Sequence, residues 1–492
     1  MEQILIEQIK KHPNFGNSGT GKIHISKCPG RLSFSKHCDY VNNDLLYLAS
    51  DFFTYAGVQL ILNNSSNETF SGTELKLSRA RIKIANLNPD FKNSEIELEK
   101  LSDKYIAELK SDWSFYILKI LSLLKDYAYI KLDKVLAINI IINSNLKAAA
   151  GMSSSHALIL SSSYSLIKAF QDNNLLTEQG INFFKILLNT SLPAQSELNN
   201  ENILPLLKFY QEIEIAKGFN SGLGDQAAQL LAKRNQFCFI KLFPTLNYTY
   251  IPIPEHISFM ILPSFIKAEK SSAEYQNRVK YFKEYKEVNT LAQEIHSEAL
   301  YISDLLSYLD DKTILSKIKN KLSTFQCGHL AHLAIYALAE GARLRNLRTN
   351  FTIKALAEHL NHSHLAEWVS IKEPAIEKLP FLKNFPANVF KAQEFINPNM
   401  AISEHLGAYR ASTEFNDALH EFSLNLDGVL GSSIMGAGLG GNNLAVVNTN
   451  KAEEIKDKLI KNFYSHYNLS KTAALDISTH TGSSGLEYLG EF

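Results

Sequence analysis

The sequence predicts a mixed α+β protein built as two domains, and three observations carry that reading. The first half interleaves extended and helical patterns. The pattern then resets at Cys238–Asn247 (CFIKLFPTLN) with a strand and a proline. The second half is helix-rich from Tyr275 to Glu421 and closes on the glycine run Gly436–Gly441 and a strand, Leu444–Val447. At 492 residues the chain is long enough for more than one core. The expected division is residues 1–245 and 246–492.

Each element has its own signal. The opening MEQILIEQIKKHPNF is a charged amphipathic helix without the apolar run of a signal peptide. Ile23–Ser26, Phe52–Leu62, Glu74–Ala85 and Val135–Ile142 are β-branched and apolar enough to be strands. Asp112–Lys125, Ala157–Phe170 and Lys208–Ala216 carry apolar residues at helical spacing. Asn63–Thr73 (NNSSNETFSGT) reads as a surface loop.

Composition excludes several classes. Lys+Arg and Asp+Glu stand at 50 each, so no global field favours nucleic acid or an anionic membrane. The cysteines Cys28, Cys38, Cys238 and Cys327 lack CxxC spacing, which suits reduced thiols rather than a disulfide frame. No stretch is apolar enough to span a bilayer. The expectation is a soluble, cytoplasmic protein with no nucleic-acid or membrane partner, monomeric or weakly self-associating.

Three segments carry chemistry. Leu146–Leu158 (LKAAAGMSSSHAL) is a small-residue loop between a strand and a helix, where bare N–H groups and the positive helix end face an anion. On its own it reads equally as an ordinary connection. In Gly218–Leu231 (GFNSGLGDQAAQLL), Asp225 follows two glycines at a helix start; it is either an N-cap or a carboxylate that orients a substrate hydroxyl in phosphoryl transfer. Cys28–Tyr40 (CPGRLSFSKHCDY) begins with a turn at Pro29-Gly30 and packs Arg31, Lys36, His37 and Asp39 into one loop, solvated or binding.

Other patterns point elsewhere. Gly16–Ile23 misses the phosphate-loop consensus because Ile23 has no hydroxyl, and a strand-like segment overlaps its end. Gly436–Gly441 contains GxGxxG, but a strand follows where a dinucleotide site needs a helix. His359, His362 and His364, with His329 and His332, lack a matching cysteine for a zinc set. Trp113 and Tyr116 read as core or as a pocket wall.

Taken in order, these segments resemble the GHMP small-molecule kinases, and within them the galactokinase branch. PGRLSFSKHCDY resembles that branch's PGRVNLIGEHTDY, and KAAAGMSSSHA its PxGxGLSSSAA phosphate loop. GLGDQ resembles GIMDQ, Ser271–Arg278 (SSAEYQNR) the sugar-contact segment, Asp112–Leu121 the helix beside the nucleotide, and Gly436–Gly441 the end of TGAGFGG. The resemblance implies an N-terminal domain like ribosomal protein S5 domain 2, a C-terminal ferredoxin-like domain, and use of ATP and Mg²⁺ to phosphorylate the anomeric hydroxyl of a galactose-type sugar. It assigns the catalytic positions to Asp225 and Arg31. Ala149, Ala150, Gly151, Met152, Ser153, Ser154, Ser155 and Trp113 fall at ATP-binding positions, and Ser154 and Glu214 at Mg²⁺-binding ones. Lys36, His37, Asp39, Gly222 and Tyr275 match sugar-binding positions, and the C-terminal glycines are expected beside the phosphate loop.

Four departures matter. Lys36 stands where the branch has glutamate, an acceptor replaced by a cation; a uronic acid paired with Lys36, or a lysine turned away in a galactose kinase, both answer to that. N-acetylgalactosamine is a further alternative substrate. Ala149 and Lys147 replace a glycine and a proline of the loop, and Met435 a threonine. A non-catalytic sugar- and ATP-sensing relative is the competing class, and intact Ser153–Ser155 with Asp225 favours an enzyme.

Overall fold

The computed structural model describes residues 2–15, 21–63, 80–148, 150–188, 200–219, 221–266, 286–309, 311–324, 329–367, 401–405, 407, 409, 411–436 and 438–492. Ala149, Tyr275 and the Ser271–Arg278 segment lie outside them, as do most of Asn63–Thr73 and the first part of Glu74–Ala85.

The first sheet is organised around two long strands, β1 (Ile23–Ser33) and β2 (Leu45–Leu62), paired antiparallel. β5 (Val135–Ser144) lies beside β2, β3 (Arg81–Asn86) runs parallel to β5, and β4 (Ser94–Glu97) forms one edge. The start of β2, Leu45–Tyr47, pairs instead with β6 (Gln236–Lys241), which turns into β7 (Asn247–Pro252). Pro29-Gly30 does not turn the chain, as its composition suggests. It sits inside β1 as an irregularity between Pro29 and Arg31, because pairing with β2 holds strand geometry on both sides. A proline without an N–H and a glycine are tolerated at such a bulge, which re-aims the next side chain, here Arg31.

Helices cover both faces. α3 (Ser154–Asp172) lies on β1 and β2, where Ser26 Oγ donates to the Ser161 carbonyl at 2.6 Å and Ser165 Oγ to that of Ala56 at 2.8 Å. α2 (Phe115–Asp126), α4 (Asn200–Lys217) and α5 (Gly224–Leu231) share the large core with it. The other face carries α1 (Glu2–Lys10), whose Ile9 packs with Ile25, Tyr55, Ala85 and Ile141. Ser26 towards α3 and Ile25 towards α1 is the two-residue alternation of a strand covered on both sides.

The second sheet has strand order β11-β8-β10-β9, from β8 (Ile257–Pro263), β9 (Val429–Ile434), β10 (Asn442–Asn448) and β11 (Ser478–His480), all antiparallel. With α8 (Glu414–Leu424) before β9 and α9 (Ala452–Asn462) after β10, this is the split βαββαβ arrangement of a ferredoxin-like domain. Between β8 and α8 stand α6 (His329–Thr349) and α7 (Ile353–Glu367). α7 lies directly on β9, where a Cβ on Gly431 would come within 2.7 Å of the Ala357 backbone.

The expected division at residue 245 cuts across the first sheet. β7 belongs to it, and β12 (Glu487–Glu491) returns to pair with β1, so the last strand of the chain finishes the first sheet. Composition gave no sign of this, because edge pairing is a long-range property. No helix of the described residues is long and apolar enough to cross a membrane.

Candidate active site

The site forms where the bulged β1, the loop before α3 and the start of α5 meet. Asp225 lies inside α5, which begins at Gly224 after Leu223, so it is not an N-cap. The Asp225 carboxylate instead receives Arg31 Nε at 2.7 Å and Nη2 at 3.1 Å, and the Ser153 hydroxyl donates to it as well. Arg31 Nη1 donates to the Gly151 carbonyl, so one buried guanidinium joins the carboxylate to the small-residue loop. A bidentate pair of this kind fixes direction as well as charge. His156 Nδ1 lies 3.8 Å from the same carboxylate. Burial alone would raise the Asp225 pKa, but Arg31, His156 and the Ser153 hydroxyl hold it well below the ordinary carboxylate range.

The loop is shaped for an anion. Gly151 has φ +76° and Ser153 +56°, and α3 starts at Ser154. Ser153 caps nothing with its side chain, which goes to Asp225; Ser154, Ser155 and His156 open the first helical turn, where backbone N–H groups lack intrahelical partners. Gln229 ties the loop down by donating to the carbonyls of Pro29 at 2.9 Å and Ser153 at 3.0 Å. The C-terminal glycines pack against it backbone to backbone. A Cβ on Gly436 would stand 2.6 Å from the Gly151 carbonyl, and one on Gly151 2.8 Å from that of Met435. Both glycines have positive φ.

Asp39 forms the other wall. Its Oδ2 accepts the Gly224 N–H at 3.2 Å, and a side chain at Gly222 would overlap its carboxylate, which explains the glycine there. Burial and the nearby Asp225 charge push the Asp39 carboxyl up to about 6. Two neighbouring carboxylates are thus driven apart, one firmly ionised and one near neutrality, the pattern expected of groups with different roles.

His37 and Lys36 face a different neighbourhood. His37, at φ +55°, stacks on Tyr409 with ring centroids 3.5 Å apart, and its Nε2 lies 3.2 Å from Glu367 Oε1. Glu367 also accepts from Tyr336 Oη at 3.1 Å and the Ala411 N–H at 3.2 Å. Lys36 is 1% exposed and its ammonium donates to the Ser433 hydroxyl. Burial lowers its pKa to about 8 against the opposing pull of Glu367 and Glu340. Glu340 is itself held by Arg343 Nη2 at 2.8 Å and the Ser363 hydroxyl at 2.9 Å. Lys36 is therefore turned into a buried network with acids from α6 and α7.

The remaining candidates stand on other segments. Glu214 is buried on α4. Trp113 donates its Nε1–H to the Lys92 carbonyl at 2.7 Å and packs edge-on to Phe91, which makes it a wall of that turn. His359 Nε2 donates to the Phe34 carbonyl at 2.8 Å, while His364 Nδ1 accepts the Ile434 N–H at 2.9 Å and its Nε2 lies 3.3 Å from Asp417. His362 Nδ1 lies 2.7 Å from the Glu358 carbonyl on its own helix. These histidines thus join three separate structural contacts. Sequence reading missed Glu340, Tyr336, Glu367 and Tyr409, which no local motif marks, and the Ser153–Asp225 bond.

No protein-family model matches the chain. The galactokinase of Thermosipho africanus is 22% identical over 449 residues, 91% of this chain and 95% of that protein. The galactokinase of Pyrococcus furiosus is 25% identical over 280 residues, 56% of this chain and 63% of that protein. The crystal structure of Lactococcus lactis galactokinase complexed with galactose superposes with a TM-score of 0.65 at 17% identity, covering 99% of this chain and all of that one. The fold is that of the GHMP kinases. Within that class the sequence is similar to galactokinases over nine tenths of its length.

Proposed function

We propose that the chain transfers the γ-phosphoryl group of ATP to the anomeric hydroxyl of a galactose-type monosaccharide, giving the sugar 1-phosphate and ADP. The observation that carries this is the Arg31–Asp225–Ser153 constellation, which joins an oriented carboxylate to an anion-binding loop. The relatives' names supply the substrate class.

The residues suit the groups they would hold. The backbone of Ala150, Gly151, Met152, Ser153, Ser154 and Ser155 offers donors at a helix N-terminus, and the glycines at 151 and 436 let the C-terminal loop brace that backbone at close range. Ser154 and Glu214 bear the hard oxygen donors that Mg²⁺ takes. Bound Mg²⁺–ATP supplies the phosphoryl group and part of the neutralising charge. Asp225 accepts the anomeric O–H and aims its oxygen at phosphorus. A carboxylate so firmly ionised is a weak base, so its work is alignment, with proton uptake late along a loose transition state. Arg31 keeps it ionised and fixes its plane. Asp39 and His37 line the sugar side, Gly222 leaves Asp39 its place, and Tyr275 is assigned there from the motif. The burial of Lys36 among Glu340 and Glu367 favours galactose over a uronic acid, because its charge is already matched.

A coupled ADP-release assay over hexoses, pentoses and uronic acids tests the reading. Galactose is expected to give the highest kcat/KM and uronic acids none above background. ATP turnover with no sugar of the panel contradicts it and returns the chain to the sensor class.

A further inference from the structure

We propose that His24, Asp172 and Glu491 form a second metal site, one that takes a zinc-type divalent cation at the edge of the first sheet. It lies at the C-terminal end of α3, whereas the loop of the active site opens that helix; a helix of this length separates them by roughly 27 Å.

His24 and Glu491 are directly opposite in the β1–β12 pairing, and Asp172 ends α3 above them. One oxygen or nitrogen from each lies within 4.8 Å of the others. The imidazole is the independent pointer. His24 is 1% exposed, and its Nε2 has no hydrogen-bond partner among the described residues although it is aimed at Asp172 Oδ2, 3.8 Å away. A buried ring nitrogen left without a partner costs free energy unless something fills the space. Nδ1 sits 2.8 Å from Tyr488 Oη. Donation from Nδ1–H to that oxygen places the Nε2 lone pair towards the carboxylates, the second-shell arrangement metal-bound histidines use.

Zinc–ligand bonds of 2.0–2.2 Å set ligand atoms about 3.4 Å apart in a tetrahedron. The required closure is small, and the Asp172 and Glu491 side chains are 34% and 48% exposed, so they are free to make it. The place is now held by the Lys22 ammonium, 3.4 Å from Asp172 and 3.0 Å from Glu491. This ammonium is a monovalent stand-in on a flexible, half-exposed stem. An imidazole with two carboxylates selects zinc over magnesium. Occupancy would clamp β12 to β1 and α3.

The test uses the full chain, stripped of metal and free of nucleotide. Zn²⁺ is titrated in competition with a chromophoric chelator, with Tm followed in parallel against Mg²⁺. The expected result is one Zn²⁺ equivalent lost in His24→Gln and in the exposed Glu491→Gln, and bound severalfold tighter in Lys22→Gln, where the competing ammonium is gone. Zn²⁺ raises Tm in the wild type and Lys22→Gln but not in the ligand variants, and Mg²⁺ does not reproduce the rise. The proposal is overturned if Zn²⁺ binding is unchanged in both ligand variants, or if Lys22→Gln fails to tighten it; the cluster is then an ion-pair knot.

Discussion

Arg31 takes both oxygens of Asp225, at 2.7 and 3.1 Å, and with its third nitrogen reaches the Gly151 carbonyl. The carboxylate cannot rotate without breaking two charge-assisted bonds, and it shares its position with the phosphate loop. Asp225→Asn keeps the shape but removes the charge. We expect kcat to fall by about 10²–10⁴-fold, with ATP still bound, because an aligned acceptor is worth roughly that much. The variant should also lose about 1–3 kcal/mol of stability, since Arg31 is left short of a partner in a buried site. Rate measurements with fluorescent nucleotide titration and urea unfolding check both halves; near-normal turnover removes Asp225 from its role.

Asp39 makes the protein pH-sensitive in a definite direction. Burial and the Asp225 charge raise its carboxyl from 3.8 to about 6. The folded state therefore keeps a proton that the unfolded chain has already lost. That contribution to stability is complete below about 3.8 and disappears as pH rises through about 6. The sugar-dependent rate should move oppositely, rising as the carboxylate forms. Urea unfolding and kcat/KM measured across this window check the pair, and Asp39→Asn should flatten both limbs.

Lys36→Glu would restore the acid that the galactokinase branch carries, and the structure says it should fail. The new carboxylate would be buried against Glu340 and Glu367, with a cation removed. A loss of about 3–5 kcal/mol is expected, the cost of breaking a buried charge balance. Lys36→Met should be far milder. Thermal melts of the two variants side by side decide it.

Gly436→Ala probes the contact between the C-terminal glycine loop and the loop before α3. The added methyl meets the Gly151 carbonyl at 2.6 Å, at a φ of +75° that L residues rarely adopt. The KM for ATP should rise at least tenfold by disturbing the anion loop, about 1.4 kcal/mol of binding. The affinity for sugar, read by protection from thermal unfolding, should change less.

What was legible in the sequence was local. The strand, small-residue loop and helix at Val135–Phe170 appear where their patterns place them, since neighbouring residues decide such order. Asp225 and Arg31 were found through motifs, and the structure brings them together. The misreadings share one cause, pairing over long range. Pro29-Gly30 reads as a turn, yet partners on β2 keep it in a strand. The acids facing Lys36 stand some 300 residues downstream on α6 and α7, where no spacing rule reaches. The closing strand β12 belongs to a sheet begun at residue 23. The sugar segment around Tyr275 lies outside the described residues, so its part rests on the motif.

The central claim is that Asp225 directs an anomeric oxygen at the γ-phosphorus of ATP. Galactose labelled with ¹⁸O at C1, incubated with Mg²⁺–ATP and the wild-type chain, tests this in one ³¹P NMR spectrum. The account predicts a sugar 1-phosphate resonance shifted by ¹⁸O in the bridging position, formed at least about a hundredfold more slowly with Asp225→Asn. A phosphate ester at another hydroxyl, or an unlabelled bridge, would contradict it.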